Sequence, residues 1–468
     1  MSHNKQPNIL YIFADEWRAH DTGYAGDPNV KTPNLDKLAS QSLNLSHAVS
    51  GLPVCCPYRA SLMTGRYPIG HGVVVNDMEL DPELPNLGTS FSEGGYDTAY
   101  IGKWHIYGSP DGKFGRRKSP VPSSHLLGFQ SWRGFECNHD YWESTYYEDG
   151  STEPKRWEGY DAFAQTNQAM DFIESKGEED APWLLMLSWG PPHFPLHTAP
   201  EEYRQRFEGK EIILRENVPE EHQEDAKEEL RGNYAHIEAL DDALGRLLET
   251  LDKKGADNTI VIFTSDHGDM FRSHGLKTKL YPFEESIRVP FLCRWPAGFG
   301  EKGRDVPLPI DAPDVMPTLL GLCDLPQPDG LQGKDYSKVF KGEQEVGPKD
   351  CAILNAPIPF TWLKHFGFSA YRGVRTQTHS YVRLEDGRGL LYDLENDPYQ
   401  LDNLYDSSEN DALQGELESL LQKRLSEIGD DFEPSEVLVE RLGVGHYNEV
   451  KAKRNLKSNW TWPARKES

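Results

Sequence analysis

The stretch Asn8-Ile9-Leu10-Tyr11-Ile12-Phe13 decides the fold. It is a near-continuous apolar run of strand length, the pattern of a strand buried on both faces rather than one. Residues 98–101, 183–188 and 259–264 read the same way. Helical spacing separates these runs. Thr32-Pro33 opens a helix through Leu35, Leu38 and Ala39, with Thr32 as its cap and Pro33 at the first helical position. Ile237, Leu240, Leu244, Leu247, Leu248 and Leu251 mark a second helix, closed at Gly255. Strand, helix, strand in this rhythm predicts an α/β fold: a large, mainly parallel central sheet sandwiched by helices.

Downstream the pattern changes. Pro326, Pro328, Pro348 and several glycines punctuate a polar stretch, which separates a larger domain over 1–345 from a C-terminal subdomain over 346–468. There, residues 369–376 and 380–384 read as strands. Leu413, Leu417, Leu420, Leu421, Leu425 and Ile428 form a helical stripe. The subdomain is expected to be a small antiparallel sheet plus helix that completes the substrate pocket. Segment 109–160 is rich in Gly, Pro, Trp, Tyr and charge with little periodicity, and reads as a long loop region lining a pocket. The tail after Gly443 reads as a polar segment wrapping the surface.

Composition narrows the function. A formal net charge of -26 argues against a nucleic-acid partner, which needs a positive surface. No apolar run approaches the roughly 20 residues that span a bilayer, so no membrane association is expected. Met1 to Pro7 carries no apolar signal core. The sequence as it stands therefore reads as cytoplasmic, or as periplasmic or secreted if a leader was removed. Six cysteines are too few for a disulfide scaffold. Cys137, Cys293, Cys323 and Cys351 are scattered without zinc-ligand spacing, and only Cys55-Cys56 is a pair.

In open parallel sheets, ligands sit beyond the carboxyl ends of the strands. Asp15 and Glu16 follow the first strand, and Lys103 and His105 the second. His193 follows the third, and Asp266 and His267 the fourth. Each alone has a plainer reading: Asp15 as a turn cap, 266–269 as an ordinary polar turn, His105 or His193 as a structural histidine. Their recurrence at one end of four strands describes a hard-cation site. Oxygen ligands with one imidazole suit calcium, magnesium or manganese better than a thiolate zinc site.

The segment Cys55-Cys56-Pro57-Tyr58-Arg59-Ala60-Ser61-Leu62-Met63-Thr64-Gly65-Arg66 carries the chemistry. It resembles the signature of the type I sulfatases of the alkaline phosphatase superfamily, Cys-x-Pro-x-Arg followed by Thr-Gly-Arg. The plainer reading, a buried cysteine pair at a helix start, does not account for the whole segment. Residues 7–15, 31–36, 102–105, 192–193, 265–268 and 391–398 resemble further stretches of that family in the same order.

The resemblance implies a formylglycine made from Cys55 by a formylglycine-generating maturation enzyme, since Pro57 and Arg59 fall at the required offsets from Cys55. It implies one divalent cation, Ca2+ first and Mg2+ or Mn2+ next, held by Asp15, Glu16, Asp266, His267 and the converted Cys55. Arg59 would orient the formylglycine, and Lys103 and Lys279 would hold sulfate oxygens. His193 would protonate the leaving alcohol. His105 would deprotonate the second hydroxyl of the geminal diol and so expel sulfate. A helix starting after Pro57 would put residue 55 near a positive N-terminus. Glu16, Tyr58 and His267 stand where many relatives carry Asp, Ser or Thr, and Asn.

Phosphonate monoester hydrolases are the nearest rival. They share the formylglycine, the Asp–His pair and a downstream Asn that Asn76 matches, which adds Asn76 to the substrate-binding set. They tend to carry Tyr and Thr where this chain has Lys103 and His105, so sulfate monoesters are favoured. A binding protein that had lost catalysis would lack the nucleophile, ligands or acid. Residues 71–77 resemble a stretch of carbohydrate sulfatases. With Trp132, Tyr141, Trp142 and Tyr146 available to line a sugar site, the expected substrate is a sulfated saccharide or other small sulfate ester.

Overall fold

The computed structural model describes residues 6–111, 115–177, 180–449 and 462–463. Ten strands form one sheet: β1 (Asn8–Asp15), β2 (Leu43–Asn44), β3 (Asp97–Lys103), β4 (Ser131–Phe135), β5 (Thr145–Glu148), β6 (Lys155–Arg156), β7 (Trp183–Pro192), β8 (Thr259–Ser265), β9 (Phe291–Arg294) and β10 (Arg304–Asp305). Their order is β10-β2-β9-β8-β1-β7-β3-β4-β5-β6. The four apolar runs of the sequence are β1, β3, β7 and β8, and they lie side by side in parallel, as expected.

Each central strand is buried on both faces because helices cover both. Leu10, Ile12 and Ala14 point to the helices Pro33–Ser40, Asp161–Ser175 and Gln223–Lys253. Ile9, Tyr11 and Phe13 point to Cys55–Thr64, Leu87–Glu93 and Ala312–Leu322. Burying each such side chain contributes about 1.5–3 kcal/mol before the cost of ordering it.

Three local expectations change. Thr32 does not cap its helix through a backbone N–H; its hydroxyl donates to Asp36 Oδ1 at 2.8 Å and accepts from Gly23 N at 2.8 Å. The helix marked by Ile237 to Leu251 begins already at Gln223, where a run of charged residues hides the periodicity. Segment 109–160 is not merely loop. It supplies β4, β5 and β6, which extend the sheet edge, and β4 pairs in parallel with β3.

A second sheet holds β11 (Ala352–Ala356), β12 (Tyr371–Arg375), β13 (His379–Leu384) and β14 (Gly389–Asp393), all antiparallel. The helix Asp411–Ile428 covers one face through Leu417, Leu421, Leu425 and Ile428. The other face packs Leu354, Tyr371 and Val382 against Val54, Leu280 and Tyr281. These are neighbours of Cys55 and Lys279, so this sheet buttresses the site. Of the tail after Gly443, the helix Gly445–Glu449 and Trp462 are described, with Trp462 packed on Phe368 and Arg388; the rest of that expectation lies outside the described residues. No helix of the described residues is long and apolar enough to cross a membrane.

Candidate active site

The carboxyl ends of β1, β3, β7 and β8 converge on the N-terminus of the helix Cys55–Thr64. That helix starts at Cys55 itself, earlier than Pro57 suggested. Val54 is the extended N-cap residue and its carbonyl accepts from Tyr58 N at 3.1 Å. Asn76 Oδ1 accepts from Cys56 N at 3.0 Å, so Asn76 satisfies a free donor of the first turn. Cys55 therefore sits at the positive end of the helix.

Ligand atoms of Asp15, Cys55, Asp266 and His267 all lie within 4.8 Å of one another, and those of Asp15, Glu16 and His193 form an adjoining group. Cys55 Sγ is 3.3 Å from His267 Nε2 and 3.6 Å from both Asp15 Oδ1 and Lys279 Nζ. His267 Nδ1 lies 2.9 Å from Gly268 O. A carbonyl only accepts, so Nδ1 carries a proton and Nε2 is the atom turned to the cluster, the orientation a metal ligand needs.

Arg59 crosses beneath the cluster, fully buried. It donates to Asp266 Oδ2 at 3.0 Å, to Lys103 O at 2.8 Å and to Ser188 Oγ at 2.8 Å, with its guanidinium over Phe13 at 4.8 Å. The Lys103 ammonium pairs with Asp15. Lys103 follows Gly102, whose φ is 108° and where a Cβ would stand 2.0 Å from Ser188 O. Only glycine lets β3 run that close to β7 and deliver the lysine.

His193 Nε2 faces Glu16 Oε2 at 3.1 Å, while its Nδ1 lies 3.0 Å from Phe194 O and 2.9 Å from His139 Nδ1. His105 stands one step back. Its Nε2 is 3.5 Å from Asp77 Oδ1, and Asp77 is gripped by Arg117 at 2.6 and 2.7 Å.

The electrostatics are those of a crowded, dry site. Burial raises Asp15, but Lys103, His193, Lys279 and His267 outweigh it and hold the carboxyl well below its usual range. Burial and Asp15 push the Cys55 thiol up, yet Lys103, Lys279 and His267 hold it well below the ordinary thiol. Burial pushes Glu16 well above the carboxylate range, against Lys279, and burial with Asp15 raises Asp266. Burial and Lys279 press His193 below the imidazole range.

Four sequence expectations about aromatics divide. Trp132 is fully buried, edge-on to Trp104, and Tyr146 is buried and stacked on Trp157. Neither can line a sugar site. Tyr141 is buried too; its hydroxyl donates to His193 O at 2.8 Å and braces the strand end that carries His193. Trp142 alone is exposed. Sequence reading missed Asp77, Arg117, Ser188 and His139: Asp77, Arg117 and His139 follow no apolar run, and Ser188 lies inside β7. It also left Cys137 as scattered, whereas Cys137 Sγ lies 3.4 Å from His139 Nε2.

Among known families, the one described as Sulfatase matches residues 7–325. The chain belongs to the sulfatase family. A second description, N-sulphoglucosamine sulphohydrolase, C-terminal, matches residues 272–427 of this sulfatase. The sulfatase is 40% identical to an ulvan-active sulfatase of Formosa agariphila over 93% of its own length and 84% of the relative's. It is 30% identical to an endo-4-O-sulfatase of Bacteroides thetaiotaomicron over 94% and 95%. A solved structure from a study of glycosaminoglycan metabolism in that bacterium superposes with a TM-score of 0.81 at 28% identity, covering 94% of this chain and 100% of the other.

Family membership implies a divalent cation and a formylglycine, and the residues of this sulfatase fit both. Both Glu16 carboxyl oxygens are buried without a well-directed hydrogen bond, although His193 and Lys279 lie at 3.1 and 3.4 Å. Such a carboxylate beside Asp15, Asp266 and Nε2 of His267 is a donor set for a hard cation. Removing the cation leaves these carboxylates facing one another. Dialysis against a chelator is therefore expected to lower sulfate release about 100-fold or more and to lower Tm by several degrees, with both restored by an added divalent cation. A Tm and activity indifferent to chelation contradict this assignment.

Proposed function

We propose that this sulfatase removes sulfate from a saccharide, using a formylglycine made from Cys55 by a maturation enzyme and Ca2+ as its cation. The observation that carries the reading is the placement of Cys55: at a helix N-terminus, between the Asp15, Asp266 and His267 donors and the Lys279 ammonium. The saccharide is supported by the ulvan-active relative at 40% identity. Oxygen-rich donors favour Ca2+ over softer metals, with Mg2+ and Mn2+ next.

When bound, the cation polarises a sulfate oxygen and lowers the pKa of a hydroxyl at residue 55, which the hydrated formylglycine supplies. The chain's own residues do the rest. Lys103 and Lys279 place two ammonium groups on the sulfate oxygens, where charge builds up as the ester bond breaks. Arg59 holds Asp15 and Asp266 in place and fixes the floor of the site. Phe194 O accepts from His193 Nδ1, which leaves Nε2, beside Glu16, as the nitrogen that would carry the proton to the leaving oxygen. A bound anionic ester offsets the Lys279 charge that depresses His193, and so favours its protonated form. His105, steadied by Asp77, is the base that returns residue 55 to its resting form.

The test is sulfate release, measured by ion chromatography, from ulvan oligosaccharides, glucosamine 6-sulfate and 4-nitrophenyl sulfate, beside phenylphosphonate release from a phenylphosphonate monoester. Release from at least one saccharide is expected. Turnover confined to the phosphonate contradicts the reading.

A further inference from the structure

Among the described residues, Phe194 and Trp142 are the only Phe, Tyr or Trp side chains in the exposed class, at 48% and 45%. Phe194 lies beside His193, and Trp142 is tied to the segment that follows it, at Thr198. Phe194 follows His193 directly, and their ring centroids are 4.1 Å apart. Trp142 follows Tyr141, whose hydroxyl donates to His193 O, and its own Nε1 donates to Thr198 O at 2.8 Å. Every other described Phe, Tyr and Trp side chain is buried or half-buried, and the two open rings both contact the 193–198 segment.

The exposure of Phe194 is not that of a loose loop. Its carbonyl is approached by His193 Nδ1 at 3.0 Å, His139 Nδ1 at 3.2 Å and the Tyr141 hydroxyl at 3.4 Å. Its ring stacks on His139, with centroids 5.4 Å apart and planes 21° apart. A rigid, half-open aromatic is what a ligand-binding surface uses, because the ring is already ordered before the ligand arrives. Under the acid role proposed for His193, a ring in contact with His193 meets the leaving alcohol rather than the sulfate.

We propose that Phe194 is a specificity-determining residue, the stacking surface for the sugar ring whose sulfate is removed, with Trp142 extending the same rim. This rests on the reading of the substrate as a saccharide. The apolar C–H face of a pyranose fits a flat ring, whereas a small alkyl sulfate has nothing to lay on it.

The test is steady-state kinetics of Phe194→Ala, Phe194→Leu and Phe194→Tyr on the ulvan oligosaccharides and glucosamine 6-sulfate. The Ala variant is expected to raise KM about ten-fold with kcat within about two-fold, the size of one lost aromatic contact. Leu should recover little of this and Tyr nearly all. An unchanged KM in Phe194→Ala, with sulfate still released from saccharide, overturns the platform while leaving the saccharide reading intact. So does a fall in kcat that Tyr does not rescue, which shows the ring only props His193. If the wild type releases sulfate from 4-nitrophenyl sulfate but from no saccharide, the saccharide reading fails and the platform falls with it.

Discussion

Cys55→Ala is expected to reduce sulfate release to background, a loss of about five to six orders of magnitude in kcat, the scale on which removing an enzyme's nucleophile acts. The loss is chemical rather than structural. Cys55 is the first residue of its helix, and its side chain faces Asp15, His267 and Lys279 rather than the apolar core. Alanine is the best helix former and leaves the fold unstrained, so Tm and circular dichroism should be nearly those of wild type. The adjacent cysteine is the control. Cys56 Sγ accepts from Asp77 N at 3.1 Å, away from the donor cluster, and its own N–H is held by Asn76. Cys56→Ala should keep activity within about ten-fold. If Cys56→Ala is the inactive variant and Cys55→Ala retains turnover, the register of the nucleophile is wrong.

The second large effect depends on the leaving group. His193→Ala should cost about three orders of magnitude on a sulfated saccharide, within the range by which a positioned general acid contributes. A sugar alkoxide is a poor leaving group and needs its proton as the bond breaks. A nitrophenolate leaves without one, so the same variant should lose about ten-fold or less on 4-nitrophenyl sulfate. His193 Nε2 is turned toward Glu16 while Phe194 O and His139 hold Nδ1, so the ring is aimed but not itself the nucleophile. Equal losses on both substrates contradict the acid role and point instead to damage at Glu16.

Much of this was legible in the chain, and the reason is physical. A parallel strand covered by helices on both faces must be apolar at every position, so β1, β3, β7 and β8 announce themselves as runs. The topology then forces the residues after each run to one end of the sheet, which is how Asp15, Lys103, His193 and Asp266 could be gathered without coordinates. Residues that come after no such run stayed hidden. Asp77 reaches His105 from a turn, Arg117 reaches Asp77 from a short 3-10 helix, and Ser188 reaches Arg59 from within a strand. β4 and β5 sit near the sheet edge in a stretch whose glycines and charges mask alternation. Trp132 and Tyr146 misled because composition counts an aromatic without saying which way it faces, and both face the core. Phe194 was passed over for the converse reason: one ring beside a histidine carries no pattern until the structure shows it exposed.

The most direct test is mass spectrometry of the tryptic peptide that contains Cys55, from protein co-produced with a formylglycine-generating enzyme, with sulfate release measured on the same preparation. Active protein is expected to carry the mass change of a thiol replaced by an aldehyde at Cys55, and the converted fraction should track the rate. A preparation that releases sulfate at full rate with Cys55 still a thiol would contradict the formylglycine mechanism.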